Sequence, residues 1–306
     1  MRGDVSILST AFRYFLAVAE AGSIRAAARD LNIVSSAVNR QILMLEESLG
    51  IRLFDRVGRG LRLSEAGIAL ARQVRDTLAR YEDTVAELDT LRGLRRGRIR
   101  IATVESVAVE RLPALLAAFW KRYDGIEIAL VTASAEEVNR LVGDGRADVG
   151  FTFSTGPLEG LRVVHHEVHE LGAIVARDHP LAAEPAVGFD RLAGEPLVLP
   201  AAGLSLRAAL DPALDRMRPS PIVRAECDSL RLMTALVART RSVGFLTKVG
   251  IEAECRSGEI VFVPLADPDV LADGLSAVVR SGVVPSLAVA AFVDFIEESW
   301  TGHGDG

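Results

Sequence analysis

Two hydrophobic periods divide the chain at Gly97, and this break constrains the fold more than any other feature of the sequence. Before it, apolar residues recur at helical spacing and are interrupted by a single short hairpin pattern. After it, short β-type runs alternate with amphipathic helices. Such a chain needs a helical head and a separate α/β body, because the two patterns bury their apolar residues in different ways. The boundaries expected are 1–63 for the head, 64–93 for a long connecting helix and 94–306 for the body. Charge divides the same way. Residues 1–100 carry 17 Arg and 12 acidic residues, a net +5, while the remainder carries 18 basic and 29 acidic residues, a net −11. The overall −6 therefore hides a basic end on an acidic body, the asymmetry of a head that meets a polyanion. Arginine is the only basic residue in those first hundred positions, but it dominates the whole chain, so its preference there carries little weight alone.

Within the head, Leu8, Phe12, Phe15, Leu16 and Ala19 predict a first helix over about 8–20, ended by Gly22. Ser23 is placed to cap a second helix, Ile24 to Leu31, whose Ala26, Ala27 and Ala28 allow close helix approach. Ser35 is the expected cap of a third helix that runs to about Leu49. Val38, Ile42, Leu45 and Leu49 form its apolar stripe, leaving Ser35, Ser36, Asn39, Arg40 and Leu43 on the other side. Side chains of this kind at a helix N-terminus suit base edges in a DNA major groove, where Asn and Arg pair bidentately with adenine and guanine. An ordinary solvated face is the equally simple alternative. Ile51 to Arg56, a Gly58-Arg59-Gly60 turn and Leu61 to Leu63 then predict a hairpin with Arg56 and Arg59 near its tip, suited to phosphates.

A nearly continuous set of residues from Phe12 to Gly67 carries a resemblance. It comprises Phe15 to Ser23, Ala27-Ala28, Leu31, Ser36 to Ile42, Leu45-Glu46, Leu49-Gly50, Leu53 to Arg56 and Leu63 to Gly67. The set resembles the LysR-type transcriptional regulators. The resemblance implies a winged helix-turn-helix that binds a double-stranded operator, with Ser35, Ser36, Asn39 and Arg40 on the helix and Arg56 in the wing as contacts. Asn39 stands where the family usually has Ser, Val34 where it often has Ser or Thr, and Ser35 where Gln is frequent. These differences bear on which bases are preferred.

From Ser64 onward, Ala71, Val74, Leu78, Tyr81, Val85 and Leu88 recur with alternating spacings of 3 and 4, an a/d seam. So long a helix needs a partner for its narrow stripe. A homodimer or homotetramer built on this helix is expected and agrees with the resemblance; packing on its own chain is the alternative. Gly93 to Gly97 reads as a hinge.

In the body, strands are expected at 98–104, 126–132, 147–153, 171–176, 196–199, 222–226 and 243–246, with helices between them. Two α/β units with largely parallel sheets and a cleft between them follow, with crossovers near Val163–His166 and Pro264–Asp267. Weaker matches at Gly145 to Gly150, His179 to Ala182 and Gly258 to Val261 resemble the family's periplasmic-binding-protein-like effector domain. Ligands of open α/β sheets meet strand C-termini and helix N-termini. Thr103, Glu105, Ser106, Thr152, Ser154 and Ser205 occupy such places, Arg207 could meet a carboxylate, and Thr247 is a weaker candidate. Ser106 and Ser205 correspond to effector-contacting positions in the family; plain helix capping is the alternative for both. A small effector, oxygen-rich or carboxylate-bearing, is expected. Glu105 sits awkwardly beside such an anion unless it pairs elsewhere.

Other features exclude more than they suggest. Cys227 and Cys255 read as free thiols of a reducing compartment. His165, Glu167 and His169 would share one strand face, a geometry open to a metal but more simply an exposed strand or crossover; no metal or cofactor is expected. The sequence contains no nucleophile elbow, phosphate loop or dinucleotide fingerprint to support an enzyme. The N-terminus lacks a secretory pattern, which also speaks against an extracytoplasmic solute-binding protein, and Val283 to Ile296 is too short for a bilayer. A cytoplasmic regulator without membrane contact is expected, with RNA polymerase as a further candidate partner.

Overall fold

The computed structural model describes residues 9–57, 60–91, 97–154, 157–267 and 273–300. The chain divides into two compact units, Met1–Leu94 with Asp144–Arg146, and Arg95–Gly143 with Ala147–Gly306.

In the first unit, α1 (Thr10–Ala21) begins where Ser9 Oγ accepts from Phe12 N and ends at Gly22, whose φ of 62° is left-handed. Phe15 and Val18 of α1 are wholly buried. Ala27 and Ala28 of α2 (Ile24–Asp30) are buried beside them, and their small side chains let α1 and α3 (Ser35–Leu49) close around one core. Ser35 is not the cap of α3. Val34 takes the extended cap conformation and Ser35 is the first helical residue, with no side-chain cap bond. Val38, Ile42 and Leu45 are buried, but Leu49 is 48% exposed because the helix stops at Gly50 before its last turn reaches the core.

The hairpin is shorter than the sequence predicts. β1 (Phe54–Val57) pairs antiparallel with β2 (Gly60–Leu63) in the register Phe54↔Leu63. Ile51 to Leu53 stay outside the ladder because Glu46 Oε1 accepts from Leu53 N at 2.7 Å and Phe54 N at 3.3 Å, which pins the entry to β1 onto α3. Leu61 N donates to Gly22 O at 2.8 Å, which ties the hairpin to the end of α1. Arg59 and residues 93–96 of the expected hinge lie outside the described residues, whereas Gly97, its last residue, is not hinge but the first residue of a strand.

Ser64 Oγ accepts from Gly67 N at 3.0 Å and donates to Arg52 O, starting α4 (Glu65–Leu91). A Cβ on Gly67 would stand 2.0 Å from Leu53 O, so only glycine allows this approach. The 27 residues of α4 give a rod of about 40 Å. The expected seam is altered at its start. Ala71 and Val74 are 1% and 4% exposed within the single chain, Ala71 as part of the head core. Leu78 and Tyr81 are half-buried, and the side chains of Val85 and Leu88 lie outside the described residues.

The second unit contains two five-stranded sheets. The first receives β3 (Gly97–Thr103), β4 (Ile126–Thr132), β5 (Val149–Phe153), β6 (Leu161–His169) and a late strand, with α5 (Glu105–Val109), α6 (Arg111–Arg122) and α7 (Ala135–Gly143) along the way. The second contains β7 (Leu171–Ala176), β8 (Pro196–Pro200), β9 (Ile222–Cys227), β10 (Val243–Thr247) and β11 (Ile260–Pro264), with α8 (Ser205–Arg216), α9 (Leu230–Arg239) and α10 (Glu252–Ser257). The chain then returns with β12 (Asp273–Arg280) and α11 (Leu287–Trp300). Strand orders are β4-β3-β5-β12-β6 and β11-β7-β10-β8-β9.

Neither sheet is largely parallel. β3 runs parallel to β4 and β5, and β8 to β9 and β10, but β12 is antiparallel to β5 and β6, and β7 to β10 and β11. The crossovers also differ from expectation. Val163–His166 lies inside β6, so the first passage falls at Glu170, between β6 and β7. Pro264–Asp267 still belongs to the second half, where Ala266 N donates to Val187 O and Asp267 accepts from Phe189 N, so the return comes after Asp267. The apolar segment near the C-terminus is core, not membrane: Val289, Phe292, Val293 and Ile296 of α11 are buried, with Phe292 edge-on to Phe119 at 4.9 Å. Among the described residues no helix is long and apolar enough to cross a membrane.

Candidate functional site

The head offers one unused face. Val38, Ile42 and Leu45 commit one side of α3 to the core, which leaves Ser36, Asn39 and Arg40 exposed together on the other and Ser35 half-exposed at the first turn. The spacing 36, 39, 40 places all three on one helical surface near the N-terminus. Arg56 is exposed on β1, opposite Leu61. Its distance from α3 is set by the Glu46 carboxylate and the Gly22–Leu61 bond described above, neither of which pattern reading foresaw. The signal for the first was an acidic residue beside an apolar stripe, at Leu45-Glu46.

The body contains a cavity of about 630 Å³ between its two sheets, walled by Val109, Phe153, Met233 and Leu246 on its apolar side. Glu105 and Ser106 reach it from the start of α5, and Ser205 from the start of α8. Thr247, at the end of β10, also lines it. Ser106 lies where the two halves touch: Gly250, with φ of 83°, packs so closely that a Cβ there would stand 2.4 Å from Ser106 O. Val249, just after β10, is wholly buried in the core of the other half. Thr132, Ser134 and Ser229 add hydroxyls that the sequence reading missed. The Asp228-Ser229 pair, a polar step between a strand and a helix, was the available signal.

Four expected residues do not reach the cavity. Thr103 and Thr152 are 1% and 0% exposed, on adjacent central strands, and their hydroxyls donate to backbone carbonyls, Thr103 to Val104 O and Thr152 to Ala135 O. Ser154 lies at the end of β5, where its N–H donates to Gly274 O, and it is not part of the lining. Arg207 faces away into an ion network, with Nε on Asp211 at 2.6 Å and Nη1 on Glu226 at 2.9 Å and Pro200 O at 3.0 Å. The expected carboxylate partner is thus already taken by the chain's own acids.

Glu105 does pair elsewhere. Its Oε2 accepts from Leu230 N at 2.6 Å and its Oε1 from Ser229 Oγ at 3.1 Å, so it sits on the N-terminus of α9 from across the cavity.

The histidine cluster forms a half-buried ion network. On β6, His165 and His169 each place Nε2 3.0 Å from Glu167, one on each carboxylate oxygen, and Arg111 Nη1 donates to the same carboxylate at 2.7 Å. His165 stacks on Trp300 of α11 at 5.1 Å. Burial pushes the Glu167 carboxyl up, but hydrogen bonds from His169, Arg111 and His165 and the Arg111 charge outweigh it and bring it down to about 2. A guanidinium in contact disfavours a metal at this carboxylate, and no His, Cys, Asp and Glu group suited to a metal occurs among the described residues. Both thiols are held above the usual range, Cys227 by burial and Asp228, Cys255 by burial and Glu254, so neither has the lowered value a nucleophile needs.

Two family models match separate stretches of the chain. Residues 9–68 match the family model for the bacterial regulatory helix-turn-helix protein, lysR family, and residues 92–301 match the LysR substrate binding domain. An uncharacterised HTH-type transcriptional regulator of Mycobacterium bovis is 32% identical over 268 residues, covering 84% of this chain and 85% of its own. The HTH-type transcriptional activator CmpR of a Synechocystis strain is 27% identical over 262 residues, covering 85% and 83%. Among solved structures, a full-length OxyR variant from Pseudomonas aeruginosa superposes with a TM-score of 0.70 at 16% identity, covering 95% of each chain. Full-length CbnR complexed with its target DNA gives 0.61 at 22% identity, covering 94% of this chain and 98% of that one. The chain therefore belongs to the LysR family of transcriptional regulators, with a winged helix-turn-helix that binds DNA and an effector-binding domain behind it.

Proposed function

We propose that this regulator reads its operator through Ser35, Ser36, Asn39 and Arg40 of α3, holds register on the phosphates through Arg56 and Arg59, and changes its operator binding when a small molecule fills the cavity between the two sheets. The cavity carries the reading: it is walled by apolar side chains on one side, opened by hydroxyls at Ser106 and Ser205, and shaped by both halves of one α/β unit. A molecule that binds there touches both halves, and any difference in its affinity for their arrangements becomes a coupling to the head, typically ~1–3 kcal/mol in such systems. The oxygen-rich effector expected from the sequence suits the hydroxyl lining; among the described lining residues a carboxylate finds no basic side chain.

The acting form is a homodimer or homotetramer. Support comes from the length of α4 and from Leu78 and Tyr81, with Val85 and Leu88 contributed by the sequence pattern. RNA polymerase is the further partner, and the cytoplasm, where operator DNA lies, is the working compartment. The test begins with a thermal-shift screen for a stabilising small molecule. Ser106→Ala and Ser205→Ala should each weaken that molecule several-fold, with effector-free operator binding as the control for intact folding. Full affinity in the double variant would place the effector elsewhere; capping does not account for either serine, since Val104 and Leu204 hold the cap positions of α5 and α8 and neither helix has a side-chain cap bond.

A further inference from the structure

One anion position on the cavity wall, the N-terminus of α9, is already occupied by the protein itself. α9 has ten residues, and its first turn presents the Leu230 N–H and the Ser229 hydroxyl toward the cavity. Both donate to Glu105, whose Cα lies at the head of α5 in the other half. The carboxylate therefore bridges the cavity and satisfies the charge preference of the helix end. The rest of the lining reinforces its sign. Among the described lining residues Asp228 is the other carboxylate, and none is Arg, Lys or His. Arg207, two residues beyond Ser205, is spent on Asp211, Glu226 and Pro200 O.

We propose that Glu105 is a specificity-determining residue, a tethered carboxylate that fills the anion position of the cavity and so selects effectors that present hydrogen-bond donors, hydroxyls or a protonated amine, over effectors that present a carboxylate. This rests on the reading of the cavity as the effector site. An incoming carboxylate has to displace Glu105 from Leu230 and Ser229 and then lie beside Glu105 and Asp228 with no cation to offset them. An incoming donor needs no displacement. Each Glu105 oxygen accepts one bond from α9, and an ionised carboxylate has about four acceptor sites, so roughly two remain for a ligand.

Chemical rescue tests this without knowledge of the effector. Glu105→Ala vacates the α9 terminus, and acetate is the carboxylate that was removed. In full-length Glu105→Ala protein, sodium acetate should raise the melting temperature in a saturable way, with half-saturation on the order of 10 mM, the range open to a four-atom ligand. Sodium chloride at matched ionic strength and neutral acetamide should not. The parent protein should show no acetate-specific rise, and neither should Glu105→Gln, whose amide oxygen still accepts from Leu230 N. If the alanine variant does not fold alone, recovery of folded protein on dialysis into acetate, but not into acetamide or chloride, is the same result. An equal response to acetate in the parent, or no acetate-specific response and no recovery in Glu105→Ala, overturns the proposal. Either failure leaves the cavity reading standing on its own test at Ser106 and Ser205.

Discussion

Replacement of Glu46 by alanine should detach the wing from the recognition helix. The carboxylate accepts two main-chain bonds through one oxygen, from Leu53 N at 2.7 Å and Phe54 N at 3.3 Å. Leu53 and Phe54 are 1% and 8% exposed, so water cannot readily replace it. The short, charge-assisted bond is worth about 1.5–3 kcal/mol, and the longer one about 0.5–1 kcal/mol. Their loss should destabilise the head by about 2–4 kcal/mol. Glu46→Gln keeps an acceptor oxygen and should lose about half as much. Urea unfolding of the full chain, followed by a probe in the head, measures the first quantity. Hydrogen exchange at the Leu53 and Phe54 amides measures the second, and both should exchange faster in the alanine variant. Operator affinity should fall as well, because Arg56 follows two residues later on β1. If Glu46→Ala stays within about 0.5 kcal/mol of the parent with those two amides equally protected, the carboxylate does not hold the wing.

Asn39→Ala and Arg40→Ala should each cost about 1–3 kcal/mol on the operator and much less on random DNA, while Arg56→Ala should weaken both alike and lower the salt slope by about one; equal losses on both DNAs for Arg40→Ala would remove its readout role. Leu78→Glu with Val85→Glu places charge in the α4 seam, so sedimentation should show smaller species and DNA affinity should drop; an unchanged oligomer would mean that the seam packs within one chain. Glu167 is depressed from an ordinary 4.5 to about 2, so it contributes stability that is full above pH 4.5 and is lost as the pH falls toward 2. Unscreened, that interval corresponds to about 3 kcal/mol, and solvent around this half-buried carboxylate reduces it to about 1–2 kcal/mol. Glu167→Gln should lose this at neutral pH and flatten the acid limb of a urea-stability curve, and an acid limb identical to the parent's would refute the assignment.

The head was legible because each of its elements is specified locally. Val38, Ile42 and Leu45 sit at helical spacing on one amphipathic helix, and the exposed Ser36, Asn39 and Arg40 follow as its complement. Adjacent serines after Val34 hid which residue starts α3, since an extended valine can precede a helix as well as a serine can. The body was legible as alternating strands and helices but not as two mixed sheets. β12 finds its partners β5 and β6 more than a hundred residues upstream, and nothing near Asp273 announces them. β6 reads as a crossover because its histidines and Glu167 break the apolar alternation; their partners, Arg111 and Trp300, come from α6 and α11. Thr103 and Thr152 stand at strand ends, as ligand contacts do, yet the two strands are neighbours in the centre of a sheet and turn those hydroxyls under. The partner of Glu105 lies 124 residues downstream, a distance over which spacing carries no information.

The position of β12 has a consequence for the order in which the protein can be made. The strand lies between β5 and β6, so the first sheet contains a gap until the ribosome has passed Arg280. By then β7 to β11, the whole second sheet, have already been synthesised and are free to form. The half that begins first must therefore finish last. Until it does, β5 and β6 hold unpaired edges rich in Val and Phe, the kind of edge that recruits foreign strands. A nascent chain stalled between Pro264 and Asp273 should consequently be more aggregation-prone than one stalled after Trp300, even though only about a tenth of the molecule separates them.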